Sequence, residues 1–334
     1  MTPWLSVLIP VYNVQDYLRE CVQSVLAQAD AGVEILMLDD CSTDGSAQLM
    51  QELAQGDARL RCLSHARNGG LSAARNSLLE QARGDYVWFL DSDDFIEPGA
   101  IARLRSIVEA QKPDLVMCDY RMLRERMGLK HRLRGEWHKR TFPGQAGVLL
   151  HDRSALLQGL FEAGHMHTWS KIARRALWGT DLRFPVGRYF EDMSTTPFLA
   201  LRADSYWYEP QVWVAYRQRA GSILRTPNLD KAQHAASALT GLREAAAGQT
   251  LSRAAQFAWA HFAARSYIGA ARLAARTAVA EPARQLSAFR ACFQQVSPLS
   301  VPTLMREYLR RGWLWRAARL AYWLRRGAQA EAAP

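Results

Sequence analysis

No uninterrupted apolar run in the 334-residue chain approaches the roughly 18 residues that a membrane-spanning helix needs. The opening MTPWLSVLIPVYN carries no basic stretch ahead of its apolar run, and Pro10 interrupts that run, so neither an export signal nor a spanning anchor is expected. Cys21, Cys41, Cys62, Cys118 and Cys292 form an odd set without a C-x-x-C spacing. That argues against a disulfide framework and a thiolate zinc site, and predicts reduced cytosolic thiols. Also missing are G-x-G-x-x-G and G-x-x-x-x-G-K-[ST], so any bound phosphate must be met by a metal ion or by arginine rather than by a glycine-rich cradle.

What is present is globular: 49% hydrophobic and 22% charged residues, at a length that suits one large domain or a domain with an appendage. The net charge of +10 hides a division. Residues 1–100 hold 6 Arg/Lys against 15 Asp/Glu, and residues 101–334 hold 36 against 17. Acidic residues clustered in turns suggest bound cations; the basic remainder suggests phosphates, anionic lipid or nucleic acid.

Short continuous apolar runs at Ser6 to Val11, Glu34 to Leu38, Leu60 to Leu63, Tyr86 to Leu90 and Leu115 to Cys118 predict strands buried on both faces. Helical patterns separate them at Asp16 to Gln28, Asp44 to Ala54 and Ser72 to Ala82, the last two beginning at capping residues. The alternation predicts an α/β fold with a mostly parallel, doubly wound sheet, whose ligands sit at the carboxyl ends of strands near the switch point. Residues 121–142, with eight Arg/Lys and two Glu, read as an exposed loop or hairpin. Helices are expected at Ser154 to Glu162, Trp169 to Leu177 and Asp192 to Leu201, and through most of the chain beyond Asn228. In the basic segment Leu304 to Arg326, Trp313, Ala317, Leu320 and Leu324 share one helical side and Arg316, Arg319 and Arg326 another, the pattern of an interfacial helix.

Three stretches carry chemistry. Asp91-Ser92-Asp93-Asp94 follows a buried run and so falls at the sheet's carboxyl edge, either as a site for a divalent cation or as a solvated turn with Asp94 capping the next helix. Asp39-Asp40-Cys41-Ser42-Thr43-Asp44 ends the second strand, where carboxylates can accept from a base or ribose. Asn68-Gly69-Gly70-Leu71 permits close backbone approach, and Arg75, one turn into the next helix, points back toward the same edge.

Taken in order, VLIPVYN (Val7 to Asn13), LDDCSTDGS (Leu38 to Ser46), NGGLSAARN (Asn68 to Asn76) and FLDSDD (Phe89 to Asp94) resemble the nucleotide-sugar-binding half of family 2 inverting glycosyltransferases. His167-Thr168-Trp169-Ser170-Lys171 is similar to that family's W-x-K segment, Phe190-Glu191-Asp192-Met193 to its E-D motif, and Tyr216 to Ile223 to a Y-x-x-R-x-G-S-I motif of bacterial surface-polysaccharide members. The resemblance implies a Rossmann-like GT-A domain over residues 1–225, with a nucleotide-sugar half (1–120) and an acceptor half (121–225), followed by a helical region (226–334). It implies that Pro10, Tyr12 and Asp40 line a nucleobase pocket with Arg75 beside it, and that Asp91 and Asp93 hold Mn²⁺ or Mg²⁺. Arg219 and Ser222 would bind the donor, and Asp192 would be the general base. Without the resemblance, Glu191-Asp192 reads as an acidic pair at a helix N-terminus.

The implied activity is metal-dependent transfer of one sugar, with UDP-sugar the favoured donor, to a cell-surface glycan or lipid-linked acceptor. Q-x-x-R-W is missing, which disfavours a processive synthase. Cys41 stands where the family usually has Gly, so a positive φ there would strain it. His165 and His167 are further candidate metal ligands, and Lys171 is a candidate phosphate partner. Trp169 reads as sugar platform or core, and Trp137 as an acceptor contact. An anionic membrane surface is expected as partner through the C-terminal helix, at the cytoplasmic face of the inner membrane, with no nucleic acid; the alternative is a solvated, Arg-rich helix packed by its aromatic face onto the catalytic domain. The competing readings are a sugar-nucleotidyltransferase and a non-catalytic basic membrane- or nucleic-acid-binding module.

Overall fold

The computed structural model describes residues 2–124, 128–218, 228–276 and 282–329. The chain divides into two units, one of Met1–Asp152, His167–Gly187 and Arg202–Ala220, the other of Arg153–Met166, Arg188–Leu201 and Gly221–Pro334.

In the first unit the alternation read from the sequence is realised as β1 (Leu5–Val11), α1 (Gln15–Leu26), β2 (Val33–Asp39), α2 (Ser46–Gln55), β3 (Leu60–Ser64), α3 (Leu71–Gln81), β4 (Tyr86–Phe89), β5 (Phe95–Ile96), α4 (Ala100–Gln111), β6 (Leu115–Leu123), α5 (Leu129–Leu133) and β7 (Leu149–Leu150). Later segments add β8 (Lys171–Arg174) and β9 (Tyr206–Arg217). The described residues form a nine-stranded sheet in the order β3-β2-β1-β4-β8-β6-β9-β5, with β7 on β9. From β3 to β4 every pairing is parallel; β1, β2 and β4 are buried along their whole length, as strands covered by helices on both faces are, while the edge strand β3 is mostly half-buried. Beyond β4 the sheet is mixed: β8 runs antiparallel to β4 and β6, while β9 runs parallel to β6.

The helix expected at Trp169 to Leu177 is instead the strand β8 between two single turns. Its Ile172 and Ala173 are wholly buried and pair with Val116 and Val87, so the open edges of β6 and β4 override local helical spacing. The caps also differ. α2 and α3 start after Gly45 and Gly70 without a side-chain cap, and Ser72 is buried inside the first turn of α3.

Pro10 lies within a central strand, a position that normally forfeits a ladder bond. Leu8, two residues earlier, turns its carbonyl toward β4 and accepts from the Leu90 N–H at 3.0 Å. Pro10 faces the same way, past the last β1–β4 pair at Leu8 and Phe89, so its missing N–H leaves no partner unmet. The strand order also reverses between β1 and β4, which leaves a crevice position at their carboxyl ends.

The second unit comprises α6 (Arg153–Ala163), α7 (Glu191–Arg202), α8 (Leu229–Ser237), α9 (Leu242–Ala245), α10 (Arg253–Ala274), α11 (Pro282–Val296), α12 (Val301–Arg310) and α13 (Leu314–Gln329). α10 is apolar nearly all round, with Phe257, Trp259, Phe262 and Tyr267 among its buried residues, and it is wrapped by α6, α8, α11, α12 and α13. The expected boundary at 225/226 therefore does not coincide with the packing. α6 joins this unit because Leu156, Leu160 and Phe161 are buried, Phe161 stacking on Trp259 at 5.8 Å. Among the described residues no helix is long and apolar enough to cross a membrane.

The expected C-terminal helix is two, broken at Gly312 with φ +68°. His261 of α10 holds the break. Arg316 donates to its Nε2 at 2.9 Å, which puts the proton on Nδ1, 2.8 Å from the Tyr308 hydroxyl. Burial, then the charges of Arg316 and Arg265, push the imidazole pKa from 6.5 down to about 4. A depressed pKa means that the folded state binds fewer protons than the unfolded one. Its stabilisation is complete above pH 6.5 and is lost as pH falls toward about 4. Denaturation midpoints measured across that window should fall in the wild type, and His261→Phe should flatten that limb while lowering stability at neutral pH.

Candidate active site

The site is built from three loops at the carboxyl ends of β1, β2 and β3 and from the turn after β4. The first two are laced together. The Asn13 N–H donates to Ser42 Oγ at 3.1 Å, the Thr43 N–H to Asn13 Oδ1 at 2.8 Å, and the Val14 N–H to Ser46 Oγ at 2.8 Å. Asp44, expected as a cap, accepts from the N–H of Ser46 at 2.9 Å and of Gln15 at 3.2 Å, so it ties α1 to α2. Cys41 does adopt positive φ, +61°, the conformation expected to strain a residue with a Cβ. Tyr12 is 47% exposed beside these loops, and Pro10 is buried in the strand behind it.

Asp40 is 2% exposed. Its carboxylate accepts from the N–H groups of Gly69 and Gly70 at 2.8 and 2.7 Å and pairs with His65 Nδ1 at 2.6 Å, while Asn68 donates to its carbonyl at 2.8 Å. The residue expected to accept from a base thus shapes the N-G-G loop. Both glycines are required there. A Cβ on Gly69 would meet that of Ala73 at 2.9 Å, and Gly70 has φ +80°. His65, which no sequence signal singled out, passes the contact on through Nε2 to Ser77 Oγ at 2.9 Å.

Arg75 does point back to the sheet edge. Although 1% exposed, its guanidinium meets Asp91 Oδ1 at 2.8 Å and lies 5.3 Å from the centre of the Phe184 ring. Asn76 fixes that ring's segment by exchanging two 2.8 Å hydrogen bonds with the Phe184 backbone.

The acidic turn is anchored from below. Asp94 caps no helix; it is buried, and its Oδ1 accepts from the Arg217 N–H at 2.7 Å. Burial first, then the charges of Asp93 and Asp91, hold its carboxyl well above the usual range. The same three acids help raise the Cys21 thiol and the Tyr216 phenol, though burial is the larger cause in both. Arg217 donates through Nε to the Asp93 carbonyl at 2.8 Å and reaches Glu20 of α1 at 2.6 Å, so one side chain clamps the turn to β9 and α1. It stands two residues before the arginine that the motif favours. Arg219 and Ser222 lie outside the described residues.

Other expectations resolve within their own units. Trp169 is core, 1% exposed, stacked between His167 at 4.7 Å and Tyr216 at 5.5 Å. Lys171 is buried and donates to Ser170 Oγ at 2.8 Å. Trp137 is 51% exposed. His165 is half-buried in the second unit. Asp192 belongs to that unit too, half-buried in the first turn of α7, and the residue before that helix, Phe190, carries φ +61°. A bulky residue at positive φ is strained there, beside an acidic pair. Among the described residues no three His, Cys, Asp or Glu side chains gather as a metal site on their own.

A doubly wound sheet with acidic and glycine loops at its switch point has the architecture of α/β proteins that take ligands at the carboxyl ends of their strands. The family model "Glycosyl transferase family 2" matches residues 6–159. The glycosyltransferase GlyG of Streptococcus pneumoniae serotype 4 is 30% identical over 234 residues, 68% of this chain and 74% of GlyG. GlyA of the same organism is 31% identical over 229 residues, 66% of this chain but only 31% of GlyA's length. The chain belongs to glycosyltransferase family 2. Among solved structures, Staphylococcus aureus TarS 1–349 in complex with UDP-GlcNAc has a TM-score of 0.71 at 21% identity, covering 97% of this chain and 91% of TarS 1–349. The mannosyltransferase PcManGT from Pyrobaculum calidifontis, in complex with GDP-Man and Mn²⁺, has a TM-score of 0.55 at 18% identity, covering 98% and 88%. These likenesses establish the fold, the GT-A type that the sequence resemblance implies.

Removing one member of the Arg75–Asp91 pair strands the other. Arg75→Met is expected to cost about 3 kcal/mol in chemical denaturation, the low end for a buried pair because Asp91 keeps some exposure. Arg75→Met with Asp91→Asn should recover part of that loss, and additive losses would refute the pairing.

Proposed function

We propose that the chain is a metal-dependent, inverting glycosyltransferase that moves one sugar from a nucleotide-diphosphate sugar to a cell-surface glycan or lipid-linked saccharide. The donor proposed is a UDP-sugar, and the setting is lipopolysaccharide or exopolysaccharide assembly at the cytoplasmic face of the inner membrane. The observation that carries this reading is the Asp40-shaped loop, the buried Arg75 and the Asp91–Asp94 turn meeting at one switch point. Family membership supports the reaction class, and the UDP-GlcNAc in TarS supports the donor class.

Carboxylates are hard oxygen donors that suit Mg²⁺ or Mn²⁺, and PcManGT carries Mn²⁺. Asp93 and Asp91 fit such an ion, Asp91 with one oxygen already on Arg75, so phosphate oxygens are needed to complete the set. When bound, the cation neutralises charge on the departing diphosphate. Tyr12 and Pro10 are proposed to face the nucleobase, with Asp40 shaping their surroundings through the N-G-G loop. Arg219 and Ser222 are assigned to the diphosphate by their motif alone.

Asp192 is proposed to take the proton from the acceptor hydroxyl as that oxygen bonds to the anomeric carbon and the bond to the diphosphate breaks on the opposite face. A displacement of this kind inverts configuration and needs only one base, since no sugar–enzyme bond forms. Asp192→Asn should therefore cut turnover by roughly 10²–10⁴-fold while leaving donor binding intact. An unchanged rate would remove Asp192 from the mechanism.

Thermal stability with UDP, GDP, dTDP or CMP, each with and without Mn²⁺, tests the donor site. UDP with metal is expected to stabilise by about 2.7 kcal/mol when the ligand is at a hundredfold excess over its Kd. Asp93→Asn should abolish that shift. No shift with any nucleotide, or a shift indifferent to metal and to Asp93→Asn, would overturn the assignment.

A further inference from the structure

The segment Leu304 to Arg326 holds seven arginines and one glutamate. The side expected from sequence to be the apolar face of an interfacial helix is not available for that role. Ala317, Leu320 and Trp323 are buried, the Tyr267 hydroxyl donates to the Trp323 carbonyl at 2.8 Å, and Gly327 lies so close to α11 that a Cβ would meet the Leu286 carbonyl at 3.1 Å. That side packs on α10 and α11, within the second unit.

The opposite side is where the chemistry lies. Trp315 is 74% exposed and Tyr322 53%; they stand seven residues apart and so share one face of α13. Arg319 sits between them, and Arg326 one turn beyond, 5.9 Å from the centre of the Tyr322 ring. Leu309 and Leu314, 54% and 64% exposed, flank the Gly312 turn. Single exposed apolar residues are ordinary, but four large ones within fourteen positions, Leu309 at the end of α12 and three on α13, which holds arginines and no acid, are a built surface.

We propose that this surface, formed by Leu309, Leu314, Trp315, Arg319, Tyr322 and Arg326, docks the chain on an anionic lipid bilayer. Indole and phenol rings settle at the boundary between headgroups and acyl chains, with apolar bodies inward and polar edges outward. Arginine stems extend along the apolar layer while their guanidinium groups stay at anionic headgroups. A nucleic acid would use the arginines but gives no role to Leu309 and Leu314. The inference deepens the acceptor side of the proposed function. Its test reads no sugar transfer, so the two readings fail separately.

Flotation of the full chain with phosphatidylcholine vesicles, with and without phosphatidylglycerol, is the experiment. Binding is expected only with phosphatidylglycerol and should weaken as salt rises. Trp315→Ala and Tyr322→Ala should each lower vesicle affinity by roughly tenfold. Arg319→Glu with Arg326→Glu should lower it by about twenty-five-fold or more, from about fivefold per arginine charge lost. Both aromatic positions are exposed, so melting temperatures should not move. Absent binding, equal binding to neutral vesicles, or double variants that float like the wild type would overturn the proposal. So would displacement from vesicles by single-stranded RNA, or a self-association that Trp315→Ala dissolves, since either would assign the face to another partner.

Discussion

A buried carboxylate that cannot reach water must be met by donors, and Asp40 meets that requirement with the backbone of the loop after β3. Two glycine N–H groups and the His65 imidazole converge on its two oxygens. Charge-assisted bonds of this kind contribute about 1.5–3 kcal/mol each, enough to hold a loop that has no regular structure of its own. They also decide where α3 begins, since Gly70 gives α3 its first carbonyl, to the Ala74 N–H at 3.0 Å. Arg75 comes one residue later, one turn into the helix, where Asp91 is its partner. Asp40 thus governs the position of the β4 turn through α3 without touching it.

The acidic turn poses the opposite problem, three acids within four residues. The first unit answers it with cations from different elements and with one protonation shift. Arg75 of α3 takes Asp91, Arg217 of β9 takes the Asp93 carbonyl with its side chain and the Asp94 carboxylate with its backbone N–H, and burial with the neighbouring charges keeps the Asp94 carboxyl toward its neutral form. Asp93 then stands between two anchored neighbours. Holding such a group in place before a ligand arrives is what a preorganised electrostatic site requires.

Much of this was legible from sequence because it rests on local or near-local rules. Continuous apolar runs located β1 to β4, and motif order located the loops that meet at their ends. The Cys41 strain was also readable, since one position in a known turn asked for glycine. What was not legible depends on distant partners. β8 is a strand because β4 and β6 offer it hydrogen bonds, and α6 belongs to the helical unit because Phe161 finds Trp259. The clamp that Arg217 puts on the acidic turn carries no sequence signal, because spacing alone does not tell that this side chain reaches back to Asp93 and Glu20. On α13 the helical period and the apolar side holding Ala317 and Leu320 are as the sequence predicts, but packing on α10 and α11 covers that side, and only this packing shows that Trp315 and Tyr322 form the exposed face.

Strain in the first unit is concentrated where these loops meet. Asn13 and Cys41 both hold positive φ, at +51° and +61°, in the adjacent loops after β1 and β2. Each such residue costs on the order of 1–3 kcal/mol and persists only where its surroundings over-determine it. Here they do. Asn13 is held at its N–H by Ser42 and at its side chain by Thr43, and Cys41 lies between Asp40, anchored to the N-G-G loop, and Ser42, anchored to Asp39. A relaxed turn at either place would redirect the chain and part the two loops. The hydrogen bonds that bear the strain are the same ones that keep the loops at the switch point together, so strain and site geometry stand or fall as one.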